Sequence, residues 1–258
     1  MLLKGKKGIV LGVANDKSIA WGIAKMAKEH GAELAFSYQG ENLKTRVEPL
    51  AQSLNSEIVV ECDVTKDESV KNLFSVLESK WGKIDFIIHS IAFANKEYLK
   101  NEYFNVTREA FAQAMDISAY SLTSICKHAE PILNEGSSIL TLTYHGSQQV
   151  VKNYNVMGVA KAALECSVKY LANDLGSKNI RVNSISAGPI RTLAASGIGD
   201  FKKMLKEHEI ISPLKRNTTL EDVAGTGVYL LSSLSSGVTG ENIYVDCGYS
   251  IMSGSVSE

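Results

Sequence analysis

Seven short runs rich in Val, Ile, Leu and Phe recur along this chain, and between them lie stretches whose apolar residues repeat every three or four positions. The runs occupy 8–11, 34–38, 58–60, 86–88, 138–142, 180–185 and 243–245; the periodic stretches include 18–30, 65–80, 108–130, 157–175 and 220–232. No other feature constrains the fold as tightly. A parallel partner strand is reached only by a long crossover, and right-handed crossovers place helices on both faces of a sheet. The expected architecture is therefore α/β and doubly wound, a seven-stranded parallel sheet with helices on both faces. Gly31 falls where a C′ glycine would end the first helix. With only 4 prolines and no Ser/Gly-rich linker, residues 1–258 are expected to form a single domain.

Charge narrows the range of functions. Lys and Arg number 27 against 28 Asp and Glu, a formal net charge of -1 with no long basic run. Nucleic-acid binding, which draws its affinity from clustered cations, is not expected. Cys62, Cys126, Cys166 and Cys247 stand far apart, with no C-x-x-C pair and no histidine at zinc-finger spacing. Reduced thiols and no metal site are the expectation. The apolar stretch 9–14 is broken by Asn15-Asp16-Lys17, too short for a signal peptide or for the roughly 18 residues that would span a membrane. A cytoplasmic protein without membrane contact is expected.

On a doubly wound sheet, ligands bind beyond the carboxyl ends of the strands, where the strand order reverses. The first run is followed by Gly12-Val13-Ala14-Asn15-Asp16-Lys17-Ser18-Ile19, which is not a G-x-G-x-x-G fingerprint. Gly12 still permits a tight turn, Ser18 offers a hydroxyl, and the next helix would aim its first amides at a pyrophosphate. The same residues also read as a plain strand-to-helix turn with Ser18 as N-cap. Past the second run, Gln39 is suited to ribose hydroxyls and Glu41 would repel a 2′-phosphate, which favours NADH over NADPH. Glu41 and Lys44 read equally as the solvated start of a helix. Past the third, Asp63 and Val64 offer a carboxylate and an apolar face to an adenine, although Asp63 is also a candidate N-cap.

The fifth run leads into Tyr144, and a helix is expected from about Tyr154 through Lys161. Tyr154 and Lys161 are seven apart, so they share a helix face across about 10.5 Å of rise. Both could reach one bound molecule. An ammonium there would hold ribose hydroxyls and, through its positive potential, make a nearby phenol a better donor to developing negative oxygen. The alternative is a tyrosine packed at a helix start and a snorkelling lysine.

These residues carry a resemblance. From Gly5-Lys6-Lys7-Gly8 to Val245-Asp246-Cys247-Gly248-Tyr249 the chain resembles the bacterial NADH-dependent enoyl-acyl-carrier-protein reductases, a divergent branch of the short-chain dehydrogenase/reductases with a Rossmann-like fold. The likeness is densest over 153–161 and 186–194. It implies reduction of the trans-2,3 double bond of enoyl thioesters in fatty acid elongation, with NADH as cofactor and enoyl-acyl carrier protein as substrate. It further implies Tyr154 as donor to the enolate oxygen, Lys161 on the nicotinamide ribose, and Tyr144 shaping the pocket. Gly12, Ser18, Ile19, Gln39, Asp63, Val64 and Ile91 match cofactor-contacting positions, and Ile190, Arg191, Thr192, Leu193 and Ala194 match the segment over the nicotinamide and pyrophosphate. Ala94, Ile198 and Phe201 match the acyl pocket. A homotetramer is implied as well.

A carbonyl-reducing relative would carry its tyrosine one turn before the lysine, where this chain has Met157, and its serine near Tyr144. Neither residue fits, so a ketone or alcohol dehydrogenase is the weaker alternative, and a non-catalytic NADH sensor would need no phenol at Tyr154. Lys202, Lys203 and Lys206, clustered near the expected pocket mouth, are candidates to attract the acidic carrier protein. The segment 144–153 departs from the family pattern, with His145 where relatives often have an apolar residue. Asn95 replaces a common proline, so a more mobile loop is expected there. His145 and His89 are read as packing histidines.

Overall fold

The computed structural model describes residues 1–100, 102–193, 195 and 200–253. Its strands are β1 (Lys7–Leu11), β2 (Glu33–Tyr38), β3 (Ile58–Glu61), β4 (Ile84–His89), β5 (Leu133–Thr143), β6 (Arg181–Ala187) and β7 (Asn242–Val245). They form one sheet in the order β3-β2-β1-β4-β5-β6-β7, every neighbouring pair parallel. Winding runs outward from β1 to β3 on one side and from β4 to β7 on the other. The crevice between the halves therefore opens past Leu11 and His89, which are register partners.

Side chains alternate across the sheet, so each central strand feeds two cores. Ile9, Leu11, Ile87, Ile139 and Val182 face α3 (Asp67–Trp81), α5 (Ser121–Ala129) and α6 (Asn155–Gly176). Val10, Phe36, Phe86, Ile88, Leu140 and Ile185 face α1 (Ile19–Glu29), α2 (Gly40–Ser53) and α8 (Leu220–Leu231). Each such side chain, fully buried, contributes about 1.5–3 kcal/mol. The helices α1 and α8 pack closely because Gly227 lacks a side chain; a Cβ there would lie 2.9 Å from Ile23 Cγ2. Between β4 and α5 runs α4 (Arg108–Met115), and between β6 and α8 runs α7 (Phe201–Ile211).

Three elements differ from the periodicity. The stretch expected as one helix over 108–130 is α4 and α5 joined by a π turn, Asp116–Tyr120. β5 starts five residues early, reaching Leu133 through a register shift opposite Ile84 and Phe86. α2, anticipated only at its start, runs fourteen residues with Pro49 inside it. Among the described residues no helix is long and apolar enough to cross a membrane.

Candidate active site

The carboxyl end of β1 meets that of β4 almost backbone to backbone. Gly12 takes φ +95°, and a Cβ on it would stand 2.0 Å from the Ser90 carbonyl oxygen, so only glycine fits. Ser18 occupies the N-cap position of α1, but its hydroxyl does not cap the helix. It turns back to accept from the amides of Ala14 and Asn15, at 3.0 and 3.1 Å. That folds the loop and leaves the first turn of α1, beginning at Ile19, facing the crevice with its amides aimed as an anion would need.

A second cleft, about 470 Å3, gathers Gln39, Gly40, Glu61, Asp63, Lys66 and Ser69 from the ends of β2 and β3. Asp63 Oδ1 accepts from the Thr65 amide and hydroxyl at 3.1 and 2.7 Å, and Oδ2 lies 3.2 Å from Lys66 Nζ. Burial pushes this carboxyl up, yet the Thr65 bonds and Lys66 together hold it below its ordinary value. It is thus an anion on the cleft wall. The N-cap of α3 is Lys66, not Asp63. Val64 is buried in the α3-side core. Ile91, half-buried past β4, packs against the same core.

At the reactive end, Tyr154 is the N-cap residue of α6, 8 % exposed, in a cluster with Leu99, Ala114, Val156 and Met157. Ala94 and Tyr144 pack against that cluster. The Tyr144 and Tyr154 rings meet edge to face, centroids 5.0 Å apart at 70°. Burial pushes the Tyr154 phenol well above its ordinary pKa, with Tyr144 and Glu165 adding to the push. Burial does the same to Tyr144, helped by Tyr249. Both phenols therefore stay protonated and able to donate. Lys161 is buried two turns along α6 and donates to the Leu142 carbonyl at 2.7 Å. Burial pulls its ammonium down to about 8 against an opposing pull from Glu165.

Past β6, Ile190 packs on the α1-side core and its carbonyl accepts from the Thr192 amide at 2.8 Å. Thr192 Oγ1 accepts from the Ala195 amide at 3.1 Å, while Arg191 and Leu193 are exposed. Phe201 opens α7, half-buried. Ala194 and Ile198 lie outside the described residues. A cleft of about 210 Å3 runs between Tyr144, Pro189, Lys203 and Met204.

With this geometry in place, comparison with known proteins is informative. A family described as Enoyl-(Acyl carrier protein) reductase matches residues 12–250. Enoyl-[acyl-carrier-protein] reductase [NADH] FabI of Rickettsia conorii is 58% identical over 251 residues, covering 97% of this chain and 96% of the relative. The chain belongs to the enoyl-acyl-carrier-protein reductase family. Among solved structures, the Anaplasma phagocytophilum reductase in complex with NAD is 53% identical, with a TM-score of 0.95, over 100% of this chain and 96% of that one. The Bacillus cereus reductase with NADP+ and an indole naphthyridinone is also 53% identical, with a TM-score of 0.96, over 98% and 99%.

The Tyr154 phenol is raised first by burial, then by Tyr144 and Glu165. The phenol therefore keeps its proton in an apolar seat. Past Ala94, Asn95 Oδ1 accepts from the Glu97 amide at 3.2 Å, and Leu99 is buried beside Tyr154. The packing readings of the two histidines hold. His89 bonds Thr141 Oγ1 and Ser121 Oγ, both at 2.9 Å, and His145 is buried edge-on to Tyr244 and Tyr249.

Sequence reasoning missed two residues at this reductase site. Ser118, on the π turn, accepts from the Phe93 amide at 2.9 Å and donates to its carbonyl at 3.0 Å, fixing the loop that carries Ala94. A regular helix would have phased it elsewhere. Met204, three residues after Phe201 on α7, accepts from the Tyr144 hydroxyl at 3.4 Å. The i,i+3 spacing was the available signal.

Proposed function

We propose that this reductase reduces the trans-2,3 double bond of enoyl thioesters on acyl carrier protein with NADH, using Tyr154 as hydrogen-bond donor to the enolate oxygen. The observation that carries this is a buried, protonated phenol at the N-cap of α6, set edge-on to Tyr144 and walled by Ala94, Leu99 and Met157. The crevice fits a dinucleotide: Gly12 leaves space no Cβ could share, the first turn of α1 faces it, and Gln39 and Asp63 line one cleft at the far end. The bound cofactor supplies hydride to the carbon β to the thioester.

The residues of the chain do the rest. Tyr154 meets the negative charge that then gathers on the thioester oxygen, and its apolar seat strengthens that hydrogen bond. An ammonium has three donors; Lys161 commits one to Leu142, which leaves two for the nicotinamide ribose hydroxyls. Ser18 and Ile19 set the pyrophosphate turn, Gln39 takes the adenosine ribose, and Asp63 takes the adenine amino group, with Val64 and Ile91 nearby. Ile190, Arg191, Thr192, Leu193 and Ala194 cover the nicotinamide and pyrophosphate, and Ala94, Tyr144, Ile198 and Phe201 line the acyl side. Lys202, Lys203 and Lys206 are exposed on α7, with Lys203 on the cleft rim, and steer the acidic carrier protein. We place the protein in the cytoplasm as a homotetramer, each chain a single domain.

The test follows NADH and NADPH absorbance with crotonyl thioester, against a ketone of similar size. Turnover of the thioester with NADH and none of the ketone is expected. Preference for the ketone would return the chain to the carbonyl-reducing alternative, and cofactor binding with no oxidation by any enoyl thioester would make it a sensor.

A further inference from the structure

The reaction as described leaves one buried charge of α6 without a role. Glu165 follows Lys161 by one helical turn on the same face, and it is 7 % exposed. A carboxylate in such a place persists only with donors around it. Three converge: Thr143 Oγ1 at 2.6 Å and Ser147 Oγ at 2.5 Å on Oε1, and Gln148 Nε2 at 2.6 Å on Oε2. All three come from one segment, the end of β5 and the turn beyond it, and Tyr144 stands inside that segment. Among the described residues, no Lys, Arg or His pairs with Glu165 at ion-pair distance.

We propose that Glu165 is a positioning residue for the reduction, one that pins the Tyr144 turn against Tyr154 and supplies the standing negative charge that keeps Lys161 an ammonium. The inference rests on the roles proposed above for Tyr154 and Lys161. Hydrogen bonds to a carboxylate are shorter and stronger than neutral ones, and these three grip the chain on both sides of Tyr144. The Tyr144 ring in turn meets the reactive phenol at 5.0 Å. The charge of Glu165, not neutralised by a contact partner, acts on its neighbours at longer range. Facing it are Lys161 on α6, Tyr154 at the helix start and Tyr244 on β7; His89 on β4 faces Lys161. Burial, with Lys161 second, pulls His89 down to about 3, and burial pushes the phenols up. Lys161 is therefore the member of this group that titrates near neutrality, at about 8.

The test measures kcat and kcat/KM for NADH against pH with crotonyl thioester, on the intact enzyme. The native profile is expected to fall on the alkaline side near pH 8, where Lys161 loses its proton in the free enzyme. Glu165→Gln keeps shape but not charge, so that limb should move to lower pH by about one unit. Ser147→Ala combined with Gln148→Ala keeps the charge and cuts two tethers. It should lower kcat about tenfold with the limb and the KM for NADH unmoved.

A native limb in Glu165→Gln overturns the charge role, and a native kcat in the double variant overturns the tether; a merely structural glutamate would move neither the limb nor the kcat-against-KM split. Melting of the NADH complex reports whether each variant folds. Should Glu165→Gln not fold, Glu165→Asp must keep the limb while losing kcat, and a displaced limb there is equally fatal. Lys161→Ala separates this inference from the reading beneath it. If that variant keeps both the limb and native NADH affinity, the ribose assignment has failed; if it loses both while Glu165→Gln changes nothing, only Glu165 has.

Discussion

Replacing Tyr154 by Phe removes one oxygen from a packed cluster and leaves its walls in place. The ring sits among Leu99, Val156 and Met157 with Tyr144 edge-on, and Phe fills the same volume, so stability should change by less than about 1.5 kcal/mol. The loss falls on the transition state. The phenol is buried and held protonated, so its hydrogen bond to a developing enolate forms where little water competes. Losing one such donor costs about 100- to 1000-fold in kcat, or about 3–4 kcal/mol. NADH affinity should stay native, because Gly12, Lys161 and the cleft at Gln39 and Asp63 are untouched. Tyr144→Phe is the built-in comparison: its hydroxyl donates only to the Met204 sulfur, a weak acceptor, so less than about a tenfold loss is expected. Stopped-flow absorbance of NADH with crotonyl thioester, together with a fluorescence titration of NADH, reads both quantities. A Tyr154→Phe enzyme at native rate, or a Tyr144→Phe enzyme slower than Tyr154→Phe, would refute the assignment of the donor.

Three other perturbations probe separate links. Gly12→Ala forces a Cβ to 2.0 Å from the Ser90 carbonyl at φ +95°, so NADH binding should weaken at least tenfold and the melting temperature fall; unchanged NADH titration would show the turn is not the pyrophosphate seat. Lys161→Met should weaken NADH binding yet stabilise the fold at pH 7 by about 2 kcal/mol, net of the lost bond to Leu142, because the folded ammonium titrates at about 8 against 10.5 when unfolded. The unfolded chain then holds a proton between those values that the folded chain does not, so native stability rises with pH across that window and the gain in the variant shrinks; urea melts that keep a constant gain up to pH 10.5 would contradict it. Reversing Lys202 and Lys203 to Glu should raise the KM for carrier-linked substrate and leave that for a small thioester alone, and equal effects on both would remove the carrier-docking role.

The strands were legible because strands buried on both faces read as continuous apolar runs, and 86–88 or 138–142 admit few other readings. What escaped was where polarity interrupts the pattern. The first half of β5 contains Asn134-Glu135-Gly136, with Gly136 at φ +80° and a register shift beside it, so its pairing with β4 leaves no periodic trace. In α2 only Val47 and Ala51 are buried, and Pro49 argues against a helix locally. At the site, spacing set Tyr154 and Lys161 seven apart, but spacing says nothing about where an ammonium turns. It turned to Leu142 with one of its donors. Ser118 and Glu165 were illegible for a related reason: a π turn rephases the first, and the partners of the second lie 17 to 22 positions away.

Position 157, one helical turn before Lys161, bears on the chemistry expected of the phenol. A tyrosine four residues before Lys161 would sit directly beside the ammonium, and the positive charge would favour the phenolate, as suits a group that must hand over its proton. That place is held by Met157, whose side chain instead packs in the cluster around Tyr154. Tyr154, at the N-cap three residues further back, shares that apolar cluster, and burial, Tyr144 and Glu165 all favour its protonated form. A phenol so placed keeps its proton while it donates a hydrogen bond. Hydride addition to an enoyl thioester calls for that combination, since the oxygen of the enolate needs stabilising while the new proton belongs on carbon.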